Sequence, residues 1–487
     1  MEMAHWYGVN GKISGHLAAL MEIENCLPIL HGPAGCAFHY RRSMRTRLTP
    51  FFSLAATDLR DEDVVFGGEE KLVTALEKAA FLRPDLIAVL PSCVADVMQD
   101  DIVGIVEAFR KKKGRDFPSR LLIVRSAEFS HPDKTSFIQR LKERIRNEGK
   151  KPGAFASTAQ FQGCGFVDVM EALVEQIMEP QEKQPGTVNI GSFGWGYGGR
   201  EKMQAVVRLL ARMGIRTNTL LPTAACAEIV TAPRAALNLV RRKRWAEKMM
   251  QRFGTPYLHF PNLQEWYGLE GIRAFYLRIA EALGKESAAR AVLDEEEKAA
   301  LPMVREAQAY LSQRRYGLIT MAPSMIPEYI RLYEKVYHMP LAFICLIQPP
   351  DYAQKSRLDE ETLQKMWENI HATLKETGSR AVVYQNPSDK EMRRAARAVD
   401  GIVGVSLPRC ASWGLPVVPD FYDMRPLDMQ DYGTVLNDLA EAVHRSRRKD
   451  HLLLTRIAYS EDRYPLLLEE NSLASREMWD RMWRLRE

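Results

Sequence analysis

Short apolar, β-branched runs alternate with longer amphipathic segments along most of this chain. Leu86-Ile87-Ala88-Val89-Leu90 follows a helical pattern over residues 71–81, and Leu121-Leu122-Ile123-Val124 follows the charged segment 101–113. Unbroken apolar runs of that length suit strands covered on both faces. Their alternation with helical segments predicts βαβ units on buried parallel sheets. The pattern restarts at Val188-Asn189-Ile190-Gly191-Ser192-Phe193, where a glycine-rich turn leads into a helical run over 202–213. It restarts again at 316–322, with further strands expected at 341–347, 381–384, 402–407 and Val417-Val418. The fold class is therefore α/β: three Rossmann-like domains with parallel sheets flanked by helices, over residues 1–185, 186–315 and 316–446. The Pro/Gln/Glu/Lys stretch 179–186 is expected to be a linker, and 287–314 a long connecting helix. Residues 447–487, rich in charge, Leu and Trp, are expected to form a helical tail that packs on partner subunits.

Composition narrows the function classes. The 487 residues carry a formal charge of only +5, with 46% hydrophobic and 26% charged residues, an ordinary globular balance. The basic runs Lys111-Lys112-Lys113 and Arg241-Arg242-Lys243-Arg244 lack the interleaved aromatics of a single-strand binder, so no nucleic-acid partner is expected. No stretch approaches the roughly 20 apolar residues that span a bilayer, and the first 15 residues lack a secretory pattern. Seven cysteines, an odd number in so long a chain, suit thiols in a reducing compartment better than a disulfide framework. The expected location is cytoplasmic.

Ligands of open parallel sheets sit beyond the carboxyl ends of the strands. Cys93 falls there, directly after the strand at 86–90, although a buried thiol acting as a small hydrophobe is the competing reading. Cys36 closes His31-Gly32-Pro33-Ala34-Gly35-Cys36, expected to be a turn after the apolar run 27–30. Glycines there let the backbone approach a bulky ligand, and nearby amides stabilise thiolate charge. His31 and His39 flank Cys36 and could as easily be surface groups or supports behind a ligand as ligands themselves. Cys226, Cys345 and Cys410 lie in apolar surroundings and are expected in the core. The glycines of 194–199 lack the acidic residue of a dinucleotide fingerprint, and no GxxxxGK[ST] phosphate loop exists.

Taken in order, these segments resemble the component 1 proteins of nitrogenase and its relatives. His31 to Cys36 is similar to the segment that carries a bridging cluster cysteine, and Phe66-Gly67-Gly68-Glu69-Glu70-Lys71-Leu72 to the family's FGG turn. The segment from Pro84 through Ser92-Cys93 to Asp100-Asp101 resembles its strand–cysteine–helix unit. Phe161-Gln162-Gly163-Cys164-Gly165 resembles the loop after the third strand, while Ala236 to Val240 and Phe253-Gly254-Thr255-Pro256 resemble parts of the second domain. The resemblance covers most of residues 25–440, and the order of Cys36 and Cys93 is that of a β-type subunit.

The resemblance implies Cys36 and Cys93 as metal ligands, facing cysteines of an α-like partner in an α2β2 heterotetramer. They would share a P-cluster-like [8Fe-7S] or [4Fe-4S] iron–sulfur cluster, with Gly35 and Gly32 offering amides to its sulfurs. A homodimeric, ATP-dependent [4Fe-4S] iron protein would deliver electrons, and the catalytic iron–sulfur cofactor would sit in the partner. No catalytic residue is expected in this chain. The family's first bridging cysteine is expected near Gly11, leaving Cys26 as the nearest substitute; Gln160, at the position that can carry an added serine ligand, and Cys164 are further cofactor-binding candidates. Val240 leads into Arg241-Arg242 where α-type chains have a cofactor cysteine, and residues 419–432 hold no histidine, so the substrate-reducing cofactor is not expected here. Among the family's groups, the β-type chain of methylthio-alkane reductases, which cleave C–S bonds, is the nearest resemblance. Alternatives are a tetrapyrrole reductase subunit, a dinitrogenase-type subunit and a cofactor-assembly scaffold.

Overall fold

The computed structural model describes residues 12–45, 53–114, 117–125, 159–191, 199–260, 267–320, 323–347, 360–404, 417–418 and 427–445. Gly11, residues 192–198 and 405–416, Cys410 among them, and the expected C-terminal tail lie outside them. Among these residues, three parallel sheets of four, four and five strands carry the fold.

The first sheet is entered from helix α1 (Lys12–Leu20), whose nine residues are all buried. Strand β1 (Cys26–His31) leads to α2 (Ala34–Arg45), β2 (Ala55–Ala56), α3 (Asp61–Phe66) and α4 (Glu69–Ala80). Strand β3 (Leu86–Pro91) then leads to α5 (Cys93–Met98), α6 (Ile102–Lys113), β4 (Arg120–Ile123) and, further on, α7 (Ala159–Gln176). Every residue of β3 is buried, as its unbroken apolar sequence requires. Successive residues serve opposite faces: Leu86, Ala88 and Leu90 pack with Leu17, Met170 and Trp245, whereas Ile87 and Val89 pack with Leu72, Val106 and Phe109.

The second sheet runs β5 (Gln184–Gly191), α8 (Gly199–Arg212), β6 (Arg216–Leu221), α9 (Cys226–Val230), β7 (Ala235–Val240), α10 (Arg244–Phe253) and β8 (Tyr257–His259). The expected linker is therefore shorter than 179–186. Gln184-Pro185-Gly186 belong to β5, where Gln184 pairs with Ala235 before a register shift ahead of Val188. A proline fits that irregular stretch because its missing N–H costs no ladder bond there. Helix α11 (Gly268–Ala282) and the 27-residue α12 (Glu286–Ser312) lead to the third sheet.

That sheet contains β9 (Tyr316–Thr320), β10 (Leu341–Leu346), β11 (Val382–Gln385), β12 (Gly401–Gly404) and β13 (Val417–Val418), with α13 (Ile326–Ile330), α14 (Glu360–Thr377), α15 (Asp389–Ala396) and α16 (Met429–Arg445) around it. Buried residues of α11, α12, α16 and the second and third sheets form one continuous apolar core. No helix among the described residues is long and apolar enough to cross a membrane.

Candidate metal centre

Strands β1 and β3 are adjacent and parallel, with His31 in register with Pro91. Neighbouring strands lie about 4.8 Å apart, so the two segments leave the sheet side by side at one carboxyl edge. Cys93 is the first residue of α5, and Cys36 the third residue of α2. Both thiols are half-buried and border the core of Leu30, Leu90 and Ala37. The expectation of an open turn at 31–36 is corrected here: helix begins at Ala34, so Gly35 and Cys36 lie in its first turn. The uncompensated amides of a first helical turn favour negative charge on a nearby sulfur. Gly35 is exposed, and a Cβ built on it would meet nothing within 4 Å, leaving room for something bulky beside Cys36.

Gly32 has a different reason to lack a side chain. A Cβ there would lie 2.3 Å from Ser92 Oγ, so the Cys36 and Cys93 segments touch across this glycine. Ser92 caps the cysteine helix, its hydroxyl accepting the Ala95 N–H at 3.2 Å, and its own N–H donates to the His31 carbonyl at 3.0 Å.

His31, one of the two histidines flanking Cys36, is neither a surface group nor aimed at the thiols: its ring is fully buried. Nε2 donates to Asp100 Oδ2 at 2.9 Å, a carboxylate being able only to accept, and Nδ1 lies 3.1 Å from Thr57 Oγ1. Asp100 Oδ2 also accepts the Gly68 N–H at 3.2 Å, and Thr57 Oγ1 accepts the Gly32 N–H at 3.0 Å, so the Gly32 amide expected to face cluster sulfur is already taken up within the chain. Burial pushes the imidazole below its ordinary pKa, against the opposing pull of the Asp100 carboxylate. His39, on α2, is exposed and meets Tyr40 edge to face.

Cys26 is not brought to Cys36 and Cys93. It opens β1, so about five residue steps, or roughly 17 Å of strand, separate it from their edge of the sheet. Burial pushes its thiol well above the ordinary range, with the nearby Cys226 thiol adding to the shift. A thiol so placed resists becoming the anion that binds iron. Cys226 and Cys345 are buried core residues as expected.

Gln160 and Cys164 lie in the opening turns of α7, so the expected loop at 161–165 is helix; their side chains lie outside the described residues. The cause is packing against α1. A Cβ on Gly165 would fall 1.9 Å from the Lys12 carbonyl oxygen, so the two helix backbones touch there. Charged groups join the same helices: Asp168 pairs with Lys12 at 2.8 Å and with Arg244 of α10, which also reaches Glu171 at 2.9 Å. Sequence reading missed this network, since its members come from three helices far apart in the chain.

Among the described residues, no three His, Cys, Asp or Glu side chains converge to hold a metal ion. Cys36 and Cys93 are soft donors of the type iron–sulfur clusters take, and two thiols fall short of a complete ligand set on their own.

The family model described as "Nitrogenase component 1 type Oxidoreductase" matches residues 12–418. This chain belongs to that family. It is 28% identical over 310 residues to the nitrogenase iron-molybdenum cofactor biosynthesis protein NifE of Clostridium pasteurianum, covering 60% of this chain and 59% of that protein. It is 26% identical over 266 residues to one of the chains of the light-independent protochlorophyllide reductase of Nostoc sp. (strain PCC 7120), covering 53% and 47%. A nitrogenase molybdenum-iron protein beta chain of Methanococcus maripaludis matches at 25% over 181 residues, 36% of this chain and 33% of that one. These matches thus span 59% of the relatives' own length at most. The solved structure "Nitrogenase Cp1 at pH 6.5" superposes with a TM-score of 0.63 at 15% identity, over 90% of this chain and 92% of that one, a likeness of fold.

Proposed function

We propose that this chain is the β-like subunit of a nitrogenase-like reductase and supplies half of an interface iron–sulfur site through Cys36 and Cys93. The observation that carries the reading is the exit of both cysteine segments from one carboxyl edge of adjacent strands, in a chain of the component 1 family. Bound there, an iron–sulfur cluster supplies one-electron transfer. The chain's own part is to present two thiolates, leave open space at Gly35, and hold the spacing of the two segments through Gly32 and Ser92.

The same edge supports a partner. Phe38 is 62% exposed, Val65 74%, Val97 83% and Phe66 87%, on the three helices that follow β1, β2 and β3. Exposed apolar side chains grouped around half a ligand set suit burial by a second subunit. We take that subunit to be α-like, in an α2β2 assembly that carries the catalytic cofactor, with an ATP-dependent [4Fe-4S] iron protein as electron donor. Residues 240–242, without a cysteine, support placing the cofactor elsewhere. Methylthio-alkane C–S bonds are the proposed substrate class, supported by the resemblance of the motif set.

Similarity to the NifE proteins favours a second reading, a scaffold that carries a cluster and hands it on. One experiment separates the two. The chain is co-purified anaerobically with its partner, assayed for iron and acid-labile sulfide, and supplied with the ATP-dependent iron protein and dimethyl sulfide, dinitrogen or a porphyrinoid. Turnover of the thioether is expected. Release of cluster to an apo-enzyme without turnover would establish the scaffold instead. Cys36→Ala and Cys93→Ala are expected to lose interface iron, and Cys26→Ala to keep it. Full iron in Cys93→Ala would overturn the ligand assignment.

A further inference from the structure

Three segments far apart in the chain meet at one imidazole. The His31 ring binds Asp100 at 2.9 Å, and Asp100 binds the Gly68 N–H at 3.2 Å. Gly68 is packed so closely that a Cβ would lie 2.7 Å from His31 Cε1 and 2.8 Å from Asp100 Oδ2. On its other side the ring meets Thr57, which holds the Gly32 N–H, while the His31 carbonyl holds the Ser92 N–H. One buried residue therefore touches the segment before Cys36, the segment before Cys93, and the glycine pair behind α3. That helix buries no residue of its own, and its tip, Val64 to Phe66, stands in solvent. Few contacts anchor it: the Gly67 N–H closes back on Asp63, Asp63 pairs with Lys71 of α4 at 3.3 Å, and the Gly68 N–H goes to Asp100.

We infer that His31, held by Asp100, is a positioning residue that sets the separation of the Cys36 and Cys93 segments and ties both to the exposed Val64–Phe66 tip. This rests on the reading of those cysteines as cluster ligands. The physical basis is that the Nε2–H···carboxylate bond is charge-assisted and shielded from water, hence stiffer than an exposed contact. A partner pressing on the tip would move Gly68, and the shared carboxylate would carry that displacement to the ring on which both cysteine segments rest.

The test uses the full chain, alone and in its complex. His31→Phe keeps the ring volume and removes both ring nitrogens, whereas His31→Gln returns an N–H donor near the Nε2 position. In the metal-free chain, iodoacetamide labelling of Cys36 and Cys93 is followed by mass spectrometry, with buried Cys345 as internal control. Hydrogen exchange is followed in peptides covering 33–38 and 62–68. His31→Phe is expected to raise exchange in both peptides and change labelling of both thiols by about tenfold, the scale of one lost charge-assisted hydrogen bond. Cys345 should stay unlabelled and His31→Gln should restore most of the difference. In the complex, His31→Phe should shift the cluster's reduction potential with iron content retained.

A response confined to 33–38, unchanged labelling, or failure of His31→Gln to restore would overturn the inference. Should His31→Phe unfold the chain, with Cys345 labelled too, Asp100→Asn decides: a smaller paired response supports the coupling and none overturns it. Wild-type complex without iron and sulfide would sink the ligand reading itself, whereas normal iron without the paired response sinks only the role of His31.

Discussion

Glu22 gives the sharpest quantitative expectation. It lies in the turn between α1 and β1, where its carboxylate accepts a 2.6 Å hydrogen bond from Thr223 Oγ1 of the second α/β unit. The neighbouring backbone joins the same two units, since the Glu24 N–H donates to the Ala224 carbonyl at 3.1 Å. Burial disfavours the ionised form, and the Thr223 bond only partly offsets it, so the carboxyl is pushed up from 4.5 to about 7. Between those values the folded chain holds a proton that the unfolded chain has released. Stability from this residue is therefore fully present below pH 4.5 and declines as pH rises to 7. The loss by pH 8 is about 3 kcal/mol, at about 1.4 kcal/mol per tenfold. Glu22→Gln keeps the shape and an acceptor for Thr223 while removing the charge. Denaturant unfolding of both proteins at pH 5 and pH 8 measures the outcome: the variant should gain about 2.5 kcal/mol relative to wild type on passing from acid to alkaline buffer, the rest of the loss having occurred below pH 5. An equal difference at the two pH values would show that Glu22 is hydrated and ionised at neutral pH, and the argument from burial would fail.

Gly165→Ala should destabilise the fold by about 3 kcal/mol, the upper end for overpacking, because the new methyl meets the Lys12 backbone rather than a side chain that can turn away. A urea midpoint unchanged from wild type would contradict the contact of α1 with α7. Gly32→Ala meets the Ser92 hydroxyl and Cβ instead, both removable, so it should cost about 2 kcal/mol alone. The double variant with Ser92→Gly should recover most of that cost beyond the lost helix cap. Thermal melts of the two single variants and the double one measure the coupling, and strictly additive losses would refute the packing of Gly32 on Ser92.

Much of the fold was legible because parallel sheets write themselves into local composition. The runs at 86–90, 121–124, 316–322 and 341–347 are strands, within a residue or two except where they pass out of the described residues, since a strand covered on both faces has no polar positions to blur its limits. What failed to show was whatever depends on contact between distant segments. Residues 161–165, with two glycines and two polar or thiol residues in five, have the composition of a loop, yet they are helical because α1 lies against Gly165. Gln184-Pro185-Gly186 has the composition of a linker and is a strand end because Ala235 pairs with it. In the site, motif resemblance marked His31, Gly68 and Asp100 in three separate segments. That they form one hydrogen-bonded unit is a fact of tertiary structure that no spacing in the chain encodes.

Cysteine is the residue on which the functional reading turns, and the fold sorts its cysteines by position along a parallel strand. Cys26 opens β1 and Cys345 lies within β10, where apolar neighbours on every side push each thiol upward and keep it protonated. Cys36 and Cys93 come after their strands have ended, in first helical turns at an edge where Gly35 and the side chains of Phe38 and Val97 stand open. The sheet fixes where those two segments begin, and the His31–Asp100 pair fixes how far apart they stand. On the proposed reading, a second polypeptide would have only to bring matching soft ligands to an edge already set. On that same reading, this division explains how a chain with no complete metal site among its described residues would supply half of one, at an edge where Phe38, Val65, Phe66 and Val97 stand exposed.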